Sequence, residues 1–203
     1  TATVLDRRFR RQLAGVEQGL RQVGFNDWQR IAASYPHQLS GGMCQRVSLA
    51  ITFACHPSLL IADEPTTALD VGIQAKVLYL LRQLNRDHQL PILLITHDFG
   101  VVKAIAHRVV VMYAGHVQEE GDVGEVLASP QHPYTQALMR SVPDNISNDE
   151  SLCQSPGTPP NLVDPPAGCR FADRCDHVMD HCRTTLPALE KISETRAVRC
   201  HLI

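Results

Sequence analysis

Short apolar segments alternate with amphipathic segments between Leu59 and Met112. The uninterrupted apolar runs at Leu59–Ala62, Ile92–Ile95 and Val109–Met112 have the length of buried β-strands. Between the first two runs, Val71–Arg86 places apolar residues three or four positions apart, which predicts a helix with one buried face. Strands that alternate with helices in this way are typical of a parallel sheet covered by helices, so the predicted fold class is α/β.

The same helical spacing predicts further helices on both sides of this region. A turn at Ala114-Gly115 predicts that the third strand is followed by a short return strand around Val117. The additional helices are expected over Leu5–Val23, Arg46–Phe53, Asp98–Ala106, Val123–Ala128 and Tyr134–Ser141.

The chain becomes rich in proline after residue 142. Six of the 13 prolines lie between Pro143 and Pro166, which excludes an unbroken helix or strand there. Five of the seven cysteines occur at or after Cys153. We therefore expect an α/β domain over residues 1–142, a linker over 143–168 and a cysteine-containing extension over 169–203.

Charge and length exclude some classes of protein. The 203-residue chain carries 19 basic and 21 acidic side chains, so it lacks the broad positive field that sequence-independent binding to nucleic acid needs. Its apolar runs are far shorter than the roughly 20 residues that span a bilayer, and its first residues do not resemble a secretory signal. We expect a cytoplasmic location. The lack of an initial Met and the start within a helical pattern indicate a fragment of a longer protein.

A helix preceded by glycines is the first candidate binding site. Ser40-Gly41-Gly42 stands before the helix predicted over Arg46–Phe53. Glycines at this place leave the N–H groups of the first turn open to an anion such as phosphate. The alternative is that Ser40 is an ordinary N-cap after a flexible segment.

Charged residues at the ends of two strands form the second candidate site. Asp63 and Glu64 directly follow Leu59–Ala62, at the sheet edge where α/β proteins bind ligands. One carboxylate suits Mg²⁺, and the other can orient or deprotonate a water that attacks a phosphoryl group. His97 follows the next strand, so we expect its imidazole beside Glu64. A surface acidic pair and a structural histidine are the alternatives.

Four cysteines in the extension have the chemistry of a metal site. Five, six and seventeen residues separate Cys169, Cys175, Cys182 and Cys200. Four thiolates can bind either zinc or an iron–sulfur cluster. The lack of a short Cys-x₂₋₄-Cys unit favours the cluster, while His177, His181 and His201 keep a mixed Cys/His zinc site open. Cysteines without a ligand are the third alternative.

Four motifs in this order resemble the nucleotide-binding domain of an ATP-binding cassette (ABC) protein. They are Leu39-Ser40-Gly41-Gly42, the strand ending in Asp63-Glu64, Ala68-Leu69-Asp70 and His97. The resemblance implies an ATPase with a P-loop NTPase-like parallel-sheet core, in which Glu64 is the catalytic base and His97 senses the γ-phosphate. It also implies that Asp63 helps to bind Mg²⁺ and that Asp70 lies in a loop that couples two subunits. The signature motif of the family, Ser40–Gly42, is implied to contact ATP bound to the opposite subunit. The residues implied to contact ATP or Mg²⁺ are Ser40, Gly41, Gly42, Gln45, Asp63 and Asp70.

The resemblance becomes narrower in three further segments. Tyr35-Pro36-His37-Gln38, Thr66-Thr67 and His132–Leu138 are similar to the ATPase subunits of bacterial dipeptide, oligopeptide and nickel importers. This similarity implies a dimer with an identical or paralogous ATPase, bound to transmembrane permease subunits on the cytoplasmic face of the inner membrane. An extracellular or periplasmic solute-binding protein is implied indirectly. Some members of this group hold a [4Fe–4S] cluster on terminal cysteines, which favours that cluster over Zn²⁺ here.

One motif of the ABC family is absent from this sequence. A Walker A loop needs Gly-x-x-x-x-Gly-Lys-Ser/Thr, and none of the three lysines follows a glycine. We therefore expect the complete protein to hydrolyse ATP and this chain alone to be inactive. Two alternative functions stay open: a soluble ABC ATPase of DNA repair or translation, and an inactive remnant whose tail binds a metal.

Overall fold

The computed structural model describes residues 14–67, 69–141 and 157–203 of the chain. These residues divide into two compact units, one that ends at Val101 and one that runs from Val102 to Ile203. Some predictions fall outside the described residues: the start of the first helix, Ala68, most of the proline-rich linker and Cys153.

The first unit combines helices with a two-stranded parallel sheet, β1 and β2, which pair from Leu60↔Ile92 to Asp63↔Ile95. Its helix α1 includes residues 14–22. The other elements are α2 (Trp28–Ala32), a 3₁₀ turn (Pro36–Gln38), α3 (Gly41–Ala54), β1 (Leu60–Asp63), α4 (Val71–His88) and β2 (Ile92–Ile95), followed by the start of α5 (Phe99–Ile105).

Helix α4 forms because its first turn is capped and one of its faces is apolar. The Asp70 carboxylate accepts a hydrogen bond from the backbone N–H of Ile73 at 2.9 Å, which satisfies one of the free donors at the helix start. Val77 and Leu81 are fully buried on its inner face. Gln89 then adopts a left-handed conformation (φ 51°), which ends the helix and returns the chain towards β2.

The second unit contains a four-stranded antiparallel sheet in the order β3-β4-β6-β5. Three aromatic rings pack together at this sheet. The ring centroid of Phe171 lies 5.3 Å from the centroids of both Tyr113 and Tyr134. Its elements after α5 are β3 (Arg108–Tyr113), β4 (His116–Asp122), α6 (Val123–Ala128), α7 (Pro133–Arg140), a 3₁₀ turn (Ala172–Arg174), α8 (Asp180–Thr184), β5 (Glu190–Lys191) and β6 (Ala197–Val198).

The third apolar run departs from the sequence prediction. Val109–Met112 was expected to continue the parallel sheet, but it lies in β3, which pairs antiparallel with β4. The predicted turn at Ala114-Gly115 is confirmed: both residues have positive φ (50° and 81°), whose twist suits a two-residue hairpin and the antiparallel pairing. The return strand is consequently a full partner of seven residues rather than a short one.

The cysteine-containing extension is built into this second sheet. Strand β6 pairs with β4 through Glu119↔Val198 and Glu120↔Ala197. Beneath this pairing, the fully buried Glu119 forms an ion pair with Arg196 at 2.5 Å. The extension therefore shares a core with β3 and β4. Within the described ranges, no helix is both long enough and apolar enough to cross a membrane.

Candidate functional site

The start of helix α3 presents the first predicted binding residues. Ser40 is the N-cap, and its hydroxyl oxygen accepts a hydrogen bond from the backbone N–H of Met43 at 3.3 Å. The interpretation of Ser40 as an N-cap is therefore confirmed as a local role. The cap leaves the N–H groups of Gly41 and Gly42 at the positive end of a 14-residue helix.

Gly41 and Gly42 have different surroundings. A Cβ added to Gly42 lies 2.2 Å from Cγ2 of Ile73, so a side chain there collides with α4. A Cβ added to Gly41 meets nothing closer than Leu69 Cδ2 at 3.7 Å. The packing of α3 against α4 thus requires glycine at position 42. No contact within the described residues requires glycine at Gly41.

Glu64 and His97 meet at the ends of β1 and β2, as the parallel arrangement predicts. His97 Nδ1 lies 2.8 Å from Glu64 Oε1, and the His97 backbone N–H donates to the same oxygen at 3.2 Å. The backbone N–H of Glu64 donates to the carbonyl of Ile95 at 2.9 Å, which continues the strand pairing by one residue. The His97 imidazole is largely exposed.

Thr67 holds the second oxygen of the Glu64 carboxylate. Its hydroxyl donates to Glu64 Oε2 at 2.6 Å, and its backbone N–H donates to the Glu64 carbonyl at 3.2 Å. Glu64 has a φ of 46°, a conformation that is rare for residues other than glycine and that often occurs at functional sites. Each carboxylate oxygen therefore has a fixed partner in a tight, strained turn.

These contacts shift the acidity of both members of the pair. The hydrogen bond from Thr67 and then that from His97 lower the pKa of Glu64 below its ordinary value. The hydrogen bond and the charge of Glu64 raise the pKa of His97 above its ordinary value. The ionised carboxylate and the protonated imidazole are therefore favoured together, as in any close ion pair.

Of the other predicted residues of this site, Gln45 and Asp70 have side-chain contacts within the chain. Asp63 lies at the end of β1, opposite Ile95, with an exposed side chain. The Gln45 side-chain amide donates to the carbonyl of Pro65 at 2.9 Å, which ties α3 to the segment after β1. Asp70 caps α4. Asp63 is the exposed carboxylate of this set that the strand edge leaves available to a cation.

The four cysteines of the extension surround one cavity in the second unit. Cys169, Cys175, Cys182 and Cys200 all line it, together with His132. None of these cysteines is in a disulfide. Among the described residues, no three His, Cys, Asp or Glu side chains converge closely enough to hold a single metal ion.

Close backbone approach brings two of these cysteines together. The Cys169 backbone N–H donates to the Cys182 carbonyl at 2.7 Å. A Cβ added to Gly168 would lie 2.2 Å from the same carbonyl, so only glycine permits this approach. Burial raises the pKa of the Cys169, Cys175 and Cys200 thiols, and the neighbouring thiols act in the same direction. The sulfur atoms are therefore near one another in a poorly solvated space.

Sequence reasoning did not assign a role to two residues at these sites. Thr67 was noted only within a longer resemblance, although a hydroxyl three residues after Glu64 is placed to bond back to it. His132 was also noted only within such a segment, and no pattern in the sequence places it beside cysteines at least 37 positions away.

Comparison with known families identifies two parts of the chain. Residues 1–67 match the family model described as "ABC transporter". Residues 118–182 match the model described as "Oligopeptide/dipeptide transporter, C-terminal region". The first match contains Ser40 and Glu64, and the second contains three of the four cavity cysteines.

Individual relatives agree with these matches. The dipeptide transport ATP-binding protein DppD of Escherichia coli (strain K12) is 48% identical over 182 residues, which cover 90% of this chain and 56% of that protein. The oligopeptide transport ATP-binding protein AppD of Bacillus subtilis (strain 168) is 50% identical over 186 residues, with the same two coverages. The chain thus spans little more than half the length of these relatives.

A solved structure supports the fold. It shows a transporter described as being of the metal-chelate ABC type, in an inward-facing conformation. It is 25% identical, covers 62% of this chain and 48% of that one, and superimposes with a TM-score of 0.53. The α/β fold class is therefore confirmed.

Proposed function

Because the chain belongs to the ATP-binding cassette family, we propose that the protein from which it comes hydrolyses ATP to drive transport. The observation that carries this proposal is the hydrogen-bonded pair of Glu64 and His97 at the edge of the parallel sheet. A carboxylate held at this edge is suited to orient and deprotonate the water that attacks the γ-phosphate.

The contacts of Glu64 define what each neighbour does in this reaction. Thr67 fixes Oε2, so Oε1 is the oxygen that accepts the proton of the attacking water. His97 holds Oε1 before ATP binds, and a γ-phosphate oxygen gives the imidazole a competing anionic partner. When the His97 ring turns from Glu64 to the γ-phosphate, Oε1 loses this partner and can bind the attacking water. The base therefore becomes available when ATP is present.

Mg²⁺ and a second subunit complete the proposed site. Asp63, an exposed carboxylate at the end of β1, is the residue of this chain that would hold Mg²⁺ through its water shell. Mg²⁺ neutralises charge on the transferred phosphoryl group when it is bound. Gly41, which no packing inside the chain requires, offers its N–H to ATP bound by the opposite subunit.

The proposed transport function is import of peptides. The match of residues 118–182 supports this assignment over an ABC ATPase of DNA repair or translation, because that match is to a peptide-transporter region. The protein then acts as a peripheral subunit on the cytoplasmic face of the bacterial inner membrane. Its partners are a second ATPase subunit, transmembrane permease subunits and, indirectly, a solute-binding protein. Dipeptides, oligopeptides and nickel are the candidate solutes.

The test replaces the proposed base in the longer protein that carries a Walker A loop. We expect Glu64→Gln to retain ATP binding and to lower steady-state ATP hydrolysis at least 100-fold, because the amide cannot accept a proton. Radiolabelled ATP binding and phosphate release measure the two effects. The exposed Glu194→Gln is the matched control and should leave both unchanged.

The chain by itself gives a complementary result. It lacks the lysine and loop amides that hold the β- and γ-phosphates, so we expect no ATP turnover above the level of Glu64→Gln. Sustained hydrolysis by purified Glu64→Gln in the longer protein would contradict the role of Glu64. Hydrolysis by the short chain alone would contradict the need for Walker A.

For the cysteine cavity we propose a [4Fe–4S] cluster that stabilises the extension. Structural zinc sites usually contain a short Cys-x₂₋₄-Cys unit, and the four cysteines here are spaced more widely. A cubane cluster binds one thiolate at each of its irons and so fits thiols spread around a cavity. Cys169, Cys175, Cys182 and Cys200 would hold the cluster, and its iron–thiolate bonds would cross-link the extension.

Anaerobic purification with metal and sulfide analysis tests the cluster. We expect about four irons and four acid-labile sulfides per chain and absorbance near 400 nm. Replacement of Cys182 with Ser should abolish loading, whereas Cys55→Ser, at an exposed cysteine in the first unit, should not. One zinc per chain without colour would instead favour the zinc alternative, and well-folded protein without metal would refute both.

A further inference from the structure

His132 is the most deeply buried ionisable group around the cysteine cavity. It is 1% exposed, lines the cavity beside the cysteines, and lies 6.1 Å from Phe171, measured between ring centroids. Its backbone N–H donates to Glu119 Oε2 at 3.0 Å. Its ring Nδ1 accepts a hydrogen bond from the backbone N–H of Tyr134 at 2.9 Å. The first contact ties the His132 backbone to β4, and the second orients the ring at the start of α7.

The contact to Tyr134 also determines where the ring proton is. A nitrogen that accepts a hydrogen bond carries no proton, so Nδ1 is bare and Nε2 bears the N–H of the neutral ring. Burial keeps the ring neutral, since it lowers the pKa of His132 to about 4. The Nε2 atom is buried and has no hydrogen-bond partner in the part of the chain that the structure describes.

A buried N–H donor without an acceptor is destabilising unless a ligand satisfies it. The backbone of Arg199, next to Cys200, lies close enough to the ring to act as a weak hydrogen-bond acceptor and partly opposes the effect of burial on the pKa of His132, but Nε2 has no hydrogen bond of normal geometry. The cavity offers the sulfur atoms of four cysteines as further acceptors. Thiolate and sulfide sulfurs of a cluster accept N–H hydrogen bonds, and these bonds tune its reduction potential.

We propose that His132 donates an Nε2–H···S hydrogen bond to the sulfur of the centre held by the four cysteines. This role rests on the proposed cluster, and it makes His132 a positioning residue rather than a ligand. A donor to sulfur stabilises the more negatively charged, reduced cluster. Its removal therefore makes the cluster harder to reduce.

Two substitutions separate this role from the helix cap. His132→Asn places an amide oxygen near the position of Nδ1, so it keeps an acceptor for the Tyr134 N–H but lacks the reach of Nε2. His132→Gln places its amide N–H near the position of Nε2 and loses the cap. His201→Gln is the matched control, because His201 also lines the cavity but already contacts the Thr185 carbonyl through Nε2 at 3.0 Å.

The measurement uses the full chain reconstituted anaerobically with iron(II) and sulfide and then titrated with dithionite, which supplies one electron per cluster. We expect His132→Asn to disfavour reduction about tenfold, a shift of about 59 mV to more negative potential for a one-electron couple. His132→Gln and His201→Gln should retain the wild-type potential. His132→Gln should nevertheless unfold at lower urea concentration than His132→Asn, because only it loses the cap.

A second measurement needs no cluster. Nitrogen-15 shifts of the imidazole in the metal-free chain should show Nε2 protonated and Nδ1 bare; the opposite tautomer would overturn the proposal. Normal loading with an unchanged potential in His132→Asn would also overturn it and leave His132 with the cap alone. Wild-type protein that takes up neither iron nor sulfide would instead refute the cluster, and the hydrogen bond with it.

Discussion

The adjacent glycines at the start of α3 are expected to respond unequally to an added methyl group. Gly42→Ala should lower the free energy of unfolding by about 1–3 kcal/mol, because the new Cβ overlaps Ile73 on α4. Gly41→Ala should change it by less than about 0.5 kcal/mol, since its surroundings are open. Urea unfolding of the two variants measures the difference. Equal stability of both would show that Ile73 yields to the methyl group.

The pair of Glu64 and His97 predicts a defined pH dependence. His97 has a raised pKa, so its stabilising effect is complete below its ordinary value of 6.5 and disappears as pH rises through the raised value. Glu64 has a lowered pKa, so its effect is complete above its ordinary value of 4.5 and disappears as pH falls through the lowered value. The pair is therefore strongest between pH 4.5 and 6.5.

Nuclear magnetic resonance titration of the His97 ring tests this pair in the chain as it stands. We expect an apparent pKa above 6.5 that returns towards that value in Glu64→Gln. Asp87→Asn, at an exposed carboxylate paired with Arg86, is the control and should not alter the His97 titration. An unshifted His97 in the wild-type chain would mean that the pair does not form in solution.

The individual site residues show what sequence can and cannot provide. Glu64 and His97 were predicted to meet because both follow strands of one parallel pair, and their meeting needs no further information. The role of Gly42 depends on the crossing of α3 and α4, which local spacing does not define. His132 was not assigned for the same reason: its neighbours come from distant segments that share only a cavity.

The joining of β4 to β6 depends on one buried ion pair. Arg196→Met leaves the fully buried Glu119 without its countercharge, so we expect a loss of about 3–5 kcal/mol in the free energy of unfolding. The half-exposed pair of Arg108 and Asp122, 3.8 Å apart, is the matched control, and Arg108→Met should cost less than about 1 kcal/mol.

A double variant distinguishes the charge from the packing. In Glu119→Gln with Arg196→Met no buried charge is left, so part of the lost stability should return. Urea unfolding followed by circular dichroism measures all variants. A small effect of Arg196→Met alone would indicate that the N–H donors of Gln131 and His132 are sufficient for Glu119.

The elements of the chain were predicted with unequal success. Helix α6 has the expected bounds, Val123–Ala128, and β2 coincides with its apolar run. The two-residue strands β5 and β6 were not expected, because strands this short carry no alternation of polar and apolar residues. They form only because β4 offers an unpaired edge, and that edge is a property of the assembled sheet.

Considered as a whole, the chain exposes an apolar face on its parallel sheet. Ile61, Leu93 and Ile95 are adjacent in the β1–β2 pairing and each is about half exposed. Exposed apolar patches bind hydrophobic dyes and favour self-association. We expect the chain to bind such a dye and to associate at high concentration, and Leu93→Thr should reduce both effects. Val163→Thr, at a residue that is 94% exposed, should change neither. Dye fluorescence and sedimentation provide the measurements.

The ion pair of Glu119 and Arg196 also has a consequence for protein synthesis. Its members are 77 positions apart in the chain. At the roughly 5–20 residues per second of translation, a ribosome takes about 4–15 s to add the arginine after the glutamate. During that interval the nascent sheet holds a carboxylate whose countercharge does not yet exist. The second unit therefore completes its fold only after Arg196 has been added, and a chain that stops before Arg196 leaves Glu119 without its countercharge.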